Sequence, residues 1–347
     1  MYIGDFKETY VTDEAVFRTP TVRFWFGLLM AGLLLFPFCA GEYLLYMANL
    51  VGVGIIGAVG LNILTGFTGQ ISLGHAAFVG IGAYTAAILS TRWGAPFIVC
   101  LPLAGLSAAF FGLIVGGPSM RMKGLYLCIA TLAAQVIVGF FFVHWESVTG
   151  GIRGLNLPAP GLFGFSLDNG FKFYFVILAM VILCVTVTRN LFRTRVGRAF
   201  IAIRDRDISA ELMGINLFRY KMYAFGLSSF MAGLAGCLWV NFQRTVTPEH
   251  FPLIESVRYL AMIIVGGLGS VIGAIFGAVF MTLVPEILKN ALGLLVDMFP
   301  LAMSFLFPLQ QVVFGLLIVV FLVFEPHGLA EMWRRVKDYF HLWPFEH

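Results

Sequence analysis

Charge is what this sequence lacks. Of its 347 residues only 12% are Asp, Glu, Lys or Arg, while 60% are hydrophobic and the mean hydropathy is +0.92. Soluble domains carry about 25% charged residues, so the deficit excludes an ordinary water-soluble domain and leaves lipid as the solvent. The five cysteines (Cys39, Cys100, Cys128, Cys184, Cys237) each stand alone in apolar sequence. With no CxxC and no Cys/His spacing, they form neither a disulfide framework nor a metal site, and they read as small buried hydrophobes. No G-x-x-x-x-G-K-[ST] occurs, so the chain has no P-loop with which to bind ATP. H-E-x-x-H, G-x-S-x-G and paired carboxylates within a span are missing too, so the expectation is no catalytic residue, no metal and no cofactor. The spans carry no succession of Asp and Glu such as proton-driven pumps use. No basic face lies outside the loops, which argues against nucleic acid as a partner. The first twenty residues are polar and of mixed charge, without an A-x-A site, so no cleavable signal is expected.

What the sequence has is apolar runs. At about 20 residues per crossing, spans are expected near 24–40, 43–65, 74–91, 96–117, 124–143, 171–188, 222–241, 257–284 and 311–325, with a doubtful one at 286–306. The expected fold is an all-α polytopic membrane protein, a bundle of about 8–10 transmembrane helices with glycine-broken segments. The thirty-nine glycines suit such a bundle, because small residues let helices approach closely. The 257–284 run is too long for one simple helix and is interrupted at Gly266-Gly267-Leu268-Gly269-Ser270. If that break is re-entrant, eight spans and a hairpin result; if it crosses, ten.

The charges that exist are unevenly placed. Between Arg189 and Lys221 lie eight of the twenty-two Lys and Arg residues, against the acids Asp205, Asp207 and Glu211. Basic loops stay in the cytoplasm. Loop 189–221 is therefore expected inside, the Lys/Arg-poor loop 144–170 outside, and both termini inside. This divides the chain into a cytoplasmic segment 1–23, a transmembrane domain 24–325 and a cytoplasmic tail 326–347. Within the basic loop, Arg198, Arg204 and Asp205 alternate with apolar residues at helical spacing, and Ala210, Glu211 and the glycine stop Gly214 follow. A short helix and turn of this kind can be gripped by a soluble motor, or can lie on anionic lipid.

Two interruptions carry the candidate path. The first runs from Gly60 to His75 and the second from Gly266 to Ser270, followed by Gly273 and Gly277. Glycine-interrupted segments in both halves point to a central transport site, since non-helical backbone at membrane depth survives only within protein or beside water. Asn62, Thr65, Thr68, Gln70, Ser72 and His75, with Gly267 and Gly269, are the candidate pathway residues. They either hydrogen-bond a polar solute or tie loop backbone and helices together. His75 is either a pH-sensitive gate or an interhelical hydrogen-bonder. In the outer loop, Thr149, Gly150, Gly151 and Arg153 are either an ordinary turn or a contact for an acidic partner surface.

These pieces resemble the branched-chain amino-acid ABC permease family, in particular its LivM-type subunit. The stretches that carry the resemblance are GLNILTGFTGQISLGHAAFVGIGAYTAA (60–87), MRMKGLYLCIATLAA (120–134), TGGIRGL (149–155) and RAFIAIRDRDISAELMGINLFRYKMYAFGLSSFMAGLAG ending at Gly236. Thr247-Pro248-Glu249, VGGLGSVIGAIFGA and Phe324-Glu325-Pro326-His327-Gly328-Leu329 complete it in family order. The resemblance implies an ABC importer permease without its own ATPase site, in the bacterial inner membrane. It also implies a second permease subunit, two cytosolic ATP-binding subunits and an external solute-binding protein, with lipid around the chain. The loop around Ala210 to Gly214 is similar to the element that docks the ATP-binding subunit, although Ile208-Ser209 replace its leading residues. The expected cargo is a branched-chain or related hydrophobic amino acid. The alternatives are urea, short amides or small aromatic acids carried by the same machinery, or a stand-alone channel or secondary transporter.

Overall fold

A computed structural model describes residues 20–119, 124–162, 165–166, 169–296, 306–325 and 328–342. Two compact units are distinguished, Met1–Tyr46 and Met47–His347. In the first, α1 (Pro20–Cys39) opens on a proline, a residue whose fixed φ and missing N–H suit the first helical position. The next helix, α2 (Glu42–Thr68), begins in this unit and continues into the second.

In the second unit follow α3 (His75–Trp93), α4 (Phe97–Ser119), α5 (Leu125–His144) and the single turn α6 (Glu146–Thr149). After two residues of strand β1 (Leu155–Asn156) and the hairpin β2–β3 (Gly161–Leu162, Phe165–Ser166) comes α7 (Gly170–Leu191). The basic loop holds α8 (Arg195–Asp205) and α9 (Asp207–Leu212). Then come α10 (Leu217–Gln243), β4 (Thr245–Val246), α11 (Leu253–Gly266), α12 (Val271–Val296), α13 (Leu306–Phe324) and α14 (Gly328–Leu342). Six of the described helices are long and apolar enough to cross a membrane: α2, α4, α5, α7, α10 and α12.

The core lies around α2 and α10, whose apolar windows are 72% buried, whereas those of α4, α5 and α7 are 28% buried. Small residues make that depth possible. Gly82 of α3 lies against Gly233 of α10, and Gly236 of α10 against the Val79 carbonyl. The backbones nearly touch, which is how membrane helices gain packing energy where no hydrophobic drive exists between helix and lipid.

The 257–284 run is two helices, α11 and α12, separated at Gly267–Ser270, as the glycine cluster predicts. They pack glycine on glycine: Gly273 faces Gly266, and a Cβ on Gly277 would collide with the Met262 carbonyl. The doubtful stretch from Glu286 begins as the continuation of α12 through Pro285 to Val296; positions 297–305 lie outside the described residues. The 144–170 loop is more structured than a turn, because β1 pairs antiparallel with β4 in the register Leu155↔Val246. That link between segments about 90 residues apart has no periodic signal in either two-residue strand. Gly328–Leu342 forms the amphipathic helix α14, which takes in the start of the aromatic tail after Trp333.

Candidate transport site and coupling loop

At the first break the chain leaves α2 through Gly69, whose φ of +69° suits glycine, and re-enters helix at His75. Every backbone group released here needs a partner, because the hydrocarbon offers none. The Gln70 N–H returns to the Leu64 carbonyl at 3.1 Å. The Thr65 hydroxyl donates to the Gln70 carbonyl (3.1 Å) and the Thr68 hydroxyl to the Leu64 carbonyl (2.5 Å). Gln70 Nε2 donates to Thr68 Oγ1, and Ser72 Oγ accepts from the Gly74 N–H. His75 sits 2.9 Å by Nε2 from the Gly57 carbonyl, which makes Nε2 the protonated nitrogen, and its ring meets Tyr259 edge-on. All of these side chains are buried.

Three residues that sequence reasoning missed close the start of α3. Thr131 of α5 accepts from the Leu73 N–H (3.0 Å), Ser256 of α11 from the Ala76 N–H (2.9 Å), and Gln135 of α5 from the Ala77 N–H (2.6 Å). Gln135 Nε2 also donates to the Phe251 carbonyl. Neutral acceptors thus cap a helix N-terminus inside the bundle. The available signal was a lone glutamine or serine in an apolar span, a costly choice that implies a buried partner.

Asn62 joins the two breaks. Its Nδ2 donates to the Ser270 carbonyl (2.9 Å) and its Oδ1 accepts from the Gly269 N–H (3.0 Å). The second break turns at Gly267 and Gly269, with φ of +119° and +75°. Asn62, Gly267 and Gly269 therefore come together, while Thr65, Thr68 and Gln70 form a separate knot one turn along α2.

The basic loop reaches the same place. Thr194 caps α8, accepting from the Gly197 N–H. Its apolar side (Ala199, Phe200, Ile203) is buried and Arg198 is exposed. From the last turn of α8, Arg204 donates through Nη1 to the Gly66 carbonyl at 3.2 Å. Its stem packs on Gly69, and its guanidinium lies against Gly269, where a Cβ would approach Nη1 to 2.6 Å. Arg204 also pairs with Asp205 at 3.1 Å. A cavity of about 550 Å³ opens beside it, lined by Gln70, Ile71, Leu127, Asp205, Asp207 and Lys221 among others.

After Asp207 the loop presents a knob. Ala210 is buried, and Gly214 (φ +84°) ends α9 with the bonds Ile215 N–H to Ala210 O and Gly214 N–H to Glu211 O, a Schellman closure. Glu211 and Gly214 are exposed. So are Ile208, Leu212 and Met213, at 67%, 85% and 82%. Sequence reasoning overlooked these three, though three large apolar residues in a basic loop are the signal of a covered surface.

In the outer loop the four residues separate. Thr149 is buried, its hydroxyl donating to the Phe142 and Trp145 carbonyls, and Gly151 is buried beside it. Gly150 is half-buried, and Arg153 is exposed next to Ile152. Among the described residues no group of three His, Cys, Asp or Glu side chains can hold a metal.

Residues 43–322 match the model of the family described as branched-chain amino acid transport system / permease component. The chain belongs to that family. The high-affinity branched-chain amino acid transport system permease protein LivM of Escherichia coli is 33% identical over 322 residues, covering 86% of this chain and 72% of its own length. LivM of Salmonella typhimurium is 34% identical over the same extent. The LivH permease protein of Salmonella typhimurium is 26% identical over 254 residues, 67% of this chain and 80% of its own. No solved structure matches the chain. Family and helices together make it a multi-pass membrane permease component.

Proposed function

We propose that the chain is the LivM-type permease subunit of an ATP-driven importer for branched-chain amino acids. It forms part of the path and transmits motion, while a second, LivH-like permease completes the path. Two cytosolic ATP-binding subunits grip the 189–221 loop, and an external solute-binding protein delivers cargo at the 144–170 end. The termini and the basic loop lie in the cytoplasm of a bacterial inner membrane.

One observation carries the coupling role. Arg204, on the basic loop, touches Gly66 in the last turn of α2, Gly69 of the first break and Gly269 of the second. A push on that loop therefore reaches both non-helical segments through one side chain. The exposed Ile208, Leu212 and Met213 give a motor subunit an apolar knob to cover. Pathway lining by Asn62, Thr65, Thr68, Gln70, Ser72 and His75 requires that some of their internal hydrogen bonds open during the cycle, since in this conformation all but Gln70 Oε1 close on the chain itself.

The test is a mild-detergent pull-down of the tagged chain from its native membrane, with co-purifying proteins identified by mass spectrometry. Recovery of a second permease and P-loop ATPases, with labelled leucine bound by the associated binding protein, is the expected result. Recovery of the chain alone, where a known ABC complex stays intact, would overturn the reading.

A further inference from the structure

Helix α14 starts three residues after Phe324, the end of the 19-residue uncharged helix α13. Nineteen residues at 1.5 Å span about 29 Å, close to the thickness of the hydrocarbon core, so a crossing by α13 would end at the membrane surface. A three-residue link reaches roughly 14 Å at full stretch. The Gly328 N–H bonds the Glu325 carbonyl at 2.9 Å, and Arg335 pairs with Glu325 at 3.1 Å. With α13 crossing, the start of α14 stays in the headgroup region.

Its faces are sharply divided. Leu329, Met332, Trp333, Val336 and Tyr339 fall on one side at helical spacing, and Glu331, Arg334 and Asp338 on the other. Leu329 packs into the core, and Trp333 meets the Phe276 ring edge-on at 6.1 Å. Yet Met332, Trp333, Val336 and Tyr339 remain 41–62% exposed, so the molecule covers this stripe only in part. Arg335 and Lys337 stand at the two borders of the stripe, where long basic side chains lie along apolar surface and lift their charges to water. Arg334 is paired with Glu331 at 2.7 Å on the polar side.

The start of α14 is pinned to the second break. Gly328, with φ +74°, lies against Gly266 and Gly267, and a Cβ there would meet the Gly267 nitrogen at 2.5 Å. This is the end of the bundle at which Arg204 meets Gly269.

We propose that α14 lies in the lipid interface on the coupling-loop side. Its Met332–Trp333–Val336–Tyr339 stripe enters the acyl boundary, and it thereby holds the second glycine break at a fixed depth. Lipid is the occupant that the tether, the aromatic stripe and its basic borders fit together. The proposal takes α13 as a crossing helix and needs nothing of the importer reading, so the two stand or fall separately.

The test places a nitroxide at Met332→Cys, Val336→Cys and Arg334→Cys, in the full chain with Cys39 and Cys128 replaced by Ala, within its native complex in liposomes. Labels at 332 and 336 are expected to collide with oxygen more often than with a water-soluble nickel chelate, and the label at 334 the reverse. Adding Val336→Asp is expected to raise nickel access at 332. If 332 and 336 are as open to nickel as 334, the stripe faces water and the proposal is overturned. If both are shielded from oxygen and nickel alike, a protein subunit covers the stripe, and the proposal is overturned equally.

Discussion

Asn62 shows what a single side chain does inside this bundle. It is 1% exposed and supplies both a donor and an acceptor to a turn more than 200 residues away. Replacement by Leu keeps the bulk and leaves the Gly269 N–H without its acceptor, at a cost of about 1–3 kcal/mol, while the Ser270 carbonyl keeps its bond from the Ala274 N–H. The expected outcome is a lower thermal midpoint of the purified complex, with the second break more open to hydrogen exchange; unchanged exchange there would remove Asn62 from its bridging role. His250, outside the spanning helices, offers a pH test. Its Nδ1 accepts from the Thr247 N–H at 3.1 Å, which only the neutral ring can do. Partial burial lowers its pKa from the ordinary value, while nearby Glu249 opposes the shift. A depressed histidine contributes stability above its unfolded pKa of about 6.5, and that contribution is lost as pH falls through the lower folded value. The protection factor of the Thr247 amide, its exchange relative to the intrinsic rate at each pH, should therefore fall in mild acid, and His250→Gln, whose amide oxygen does not titrate in this range, should flatten the profile.

Among elements, α8 and the two breaks form one mechanical unit. The buried side of α8 fixes the helix to the bundle, so Arg204 at its end moves when α8 moves. Arg204→Ala removes the contact to Gly66 while leaving the Ile208–Met213 knob intact. The expected result is a complex that still assembles and hydrolyses ATP but moves less labelled leucine per ATP; Arg204→Lys, which keeps the charge but not the fork, should fall between. An unchanged ratio in Arg204→Ala would take the residue out of the linkage. How legible this unit was differs by part. The glycine clusters announced both breaks, because few other residues adopt the backbone they need, although helix runs on from Gly60 to Thr68 and confines the first to 69–74, and the 3.6-residue alternation of Arg198–Asp205 announced α8. That these parts meet was not readable, because contacts such as Arg204 to Gly66 depend on how α2, α10 and α11 cross, and crossing is set by packing far from the motif. Ser256 and Gln135 were hidden for the same reason: each is one polar residue in an apolar helix, with nothing local to name its partner. The β1–β4 link was hidden by its shortness.

For the whole molecule, the direction in which polarity faces decides whether one chain suffices. The polar residues of the first break spend their hydrogen bonds on backbone and on one another, Gln70 Oε1 excepted, and the N-terminus of α3 is closed by Thr131, Ser256 and Gln135. The outward faces of α4 and α5 display Phe110, Phe111, Ile114, Val136, Ile137 and Phe140, which suit lipid or an apolar partner and offer a zwitterionic solute nothing. A route across the membrane then needs a second wall, and it needs work to open the internal bonds. The chain reconstituted alone should therefore accumulate labelled leucine no faster than empty liposomes, at any membrane potential or proton gradient. Adding the co-purified permease, ATPases and binding protein should give uptake that requires ATP. Uptake by the single chain without ATP would mean that its polar groups already line a continuous path, and the molecule would then be a channel or carrier in its own right.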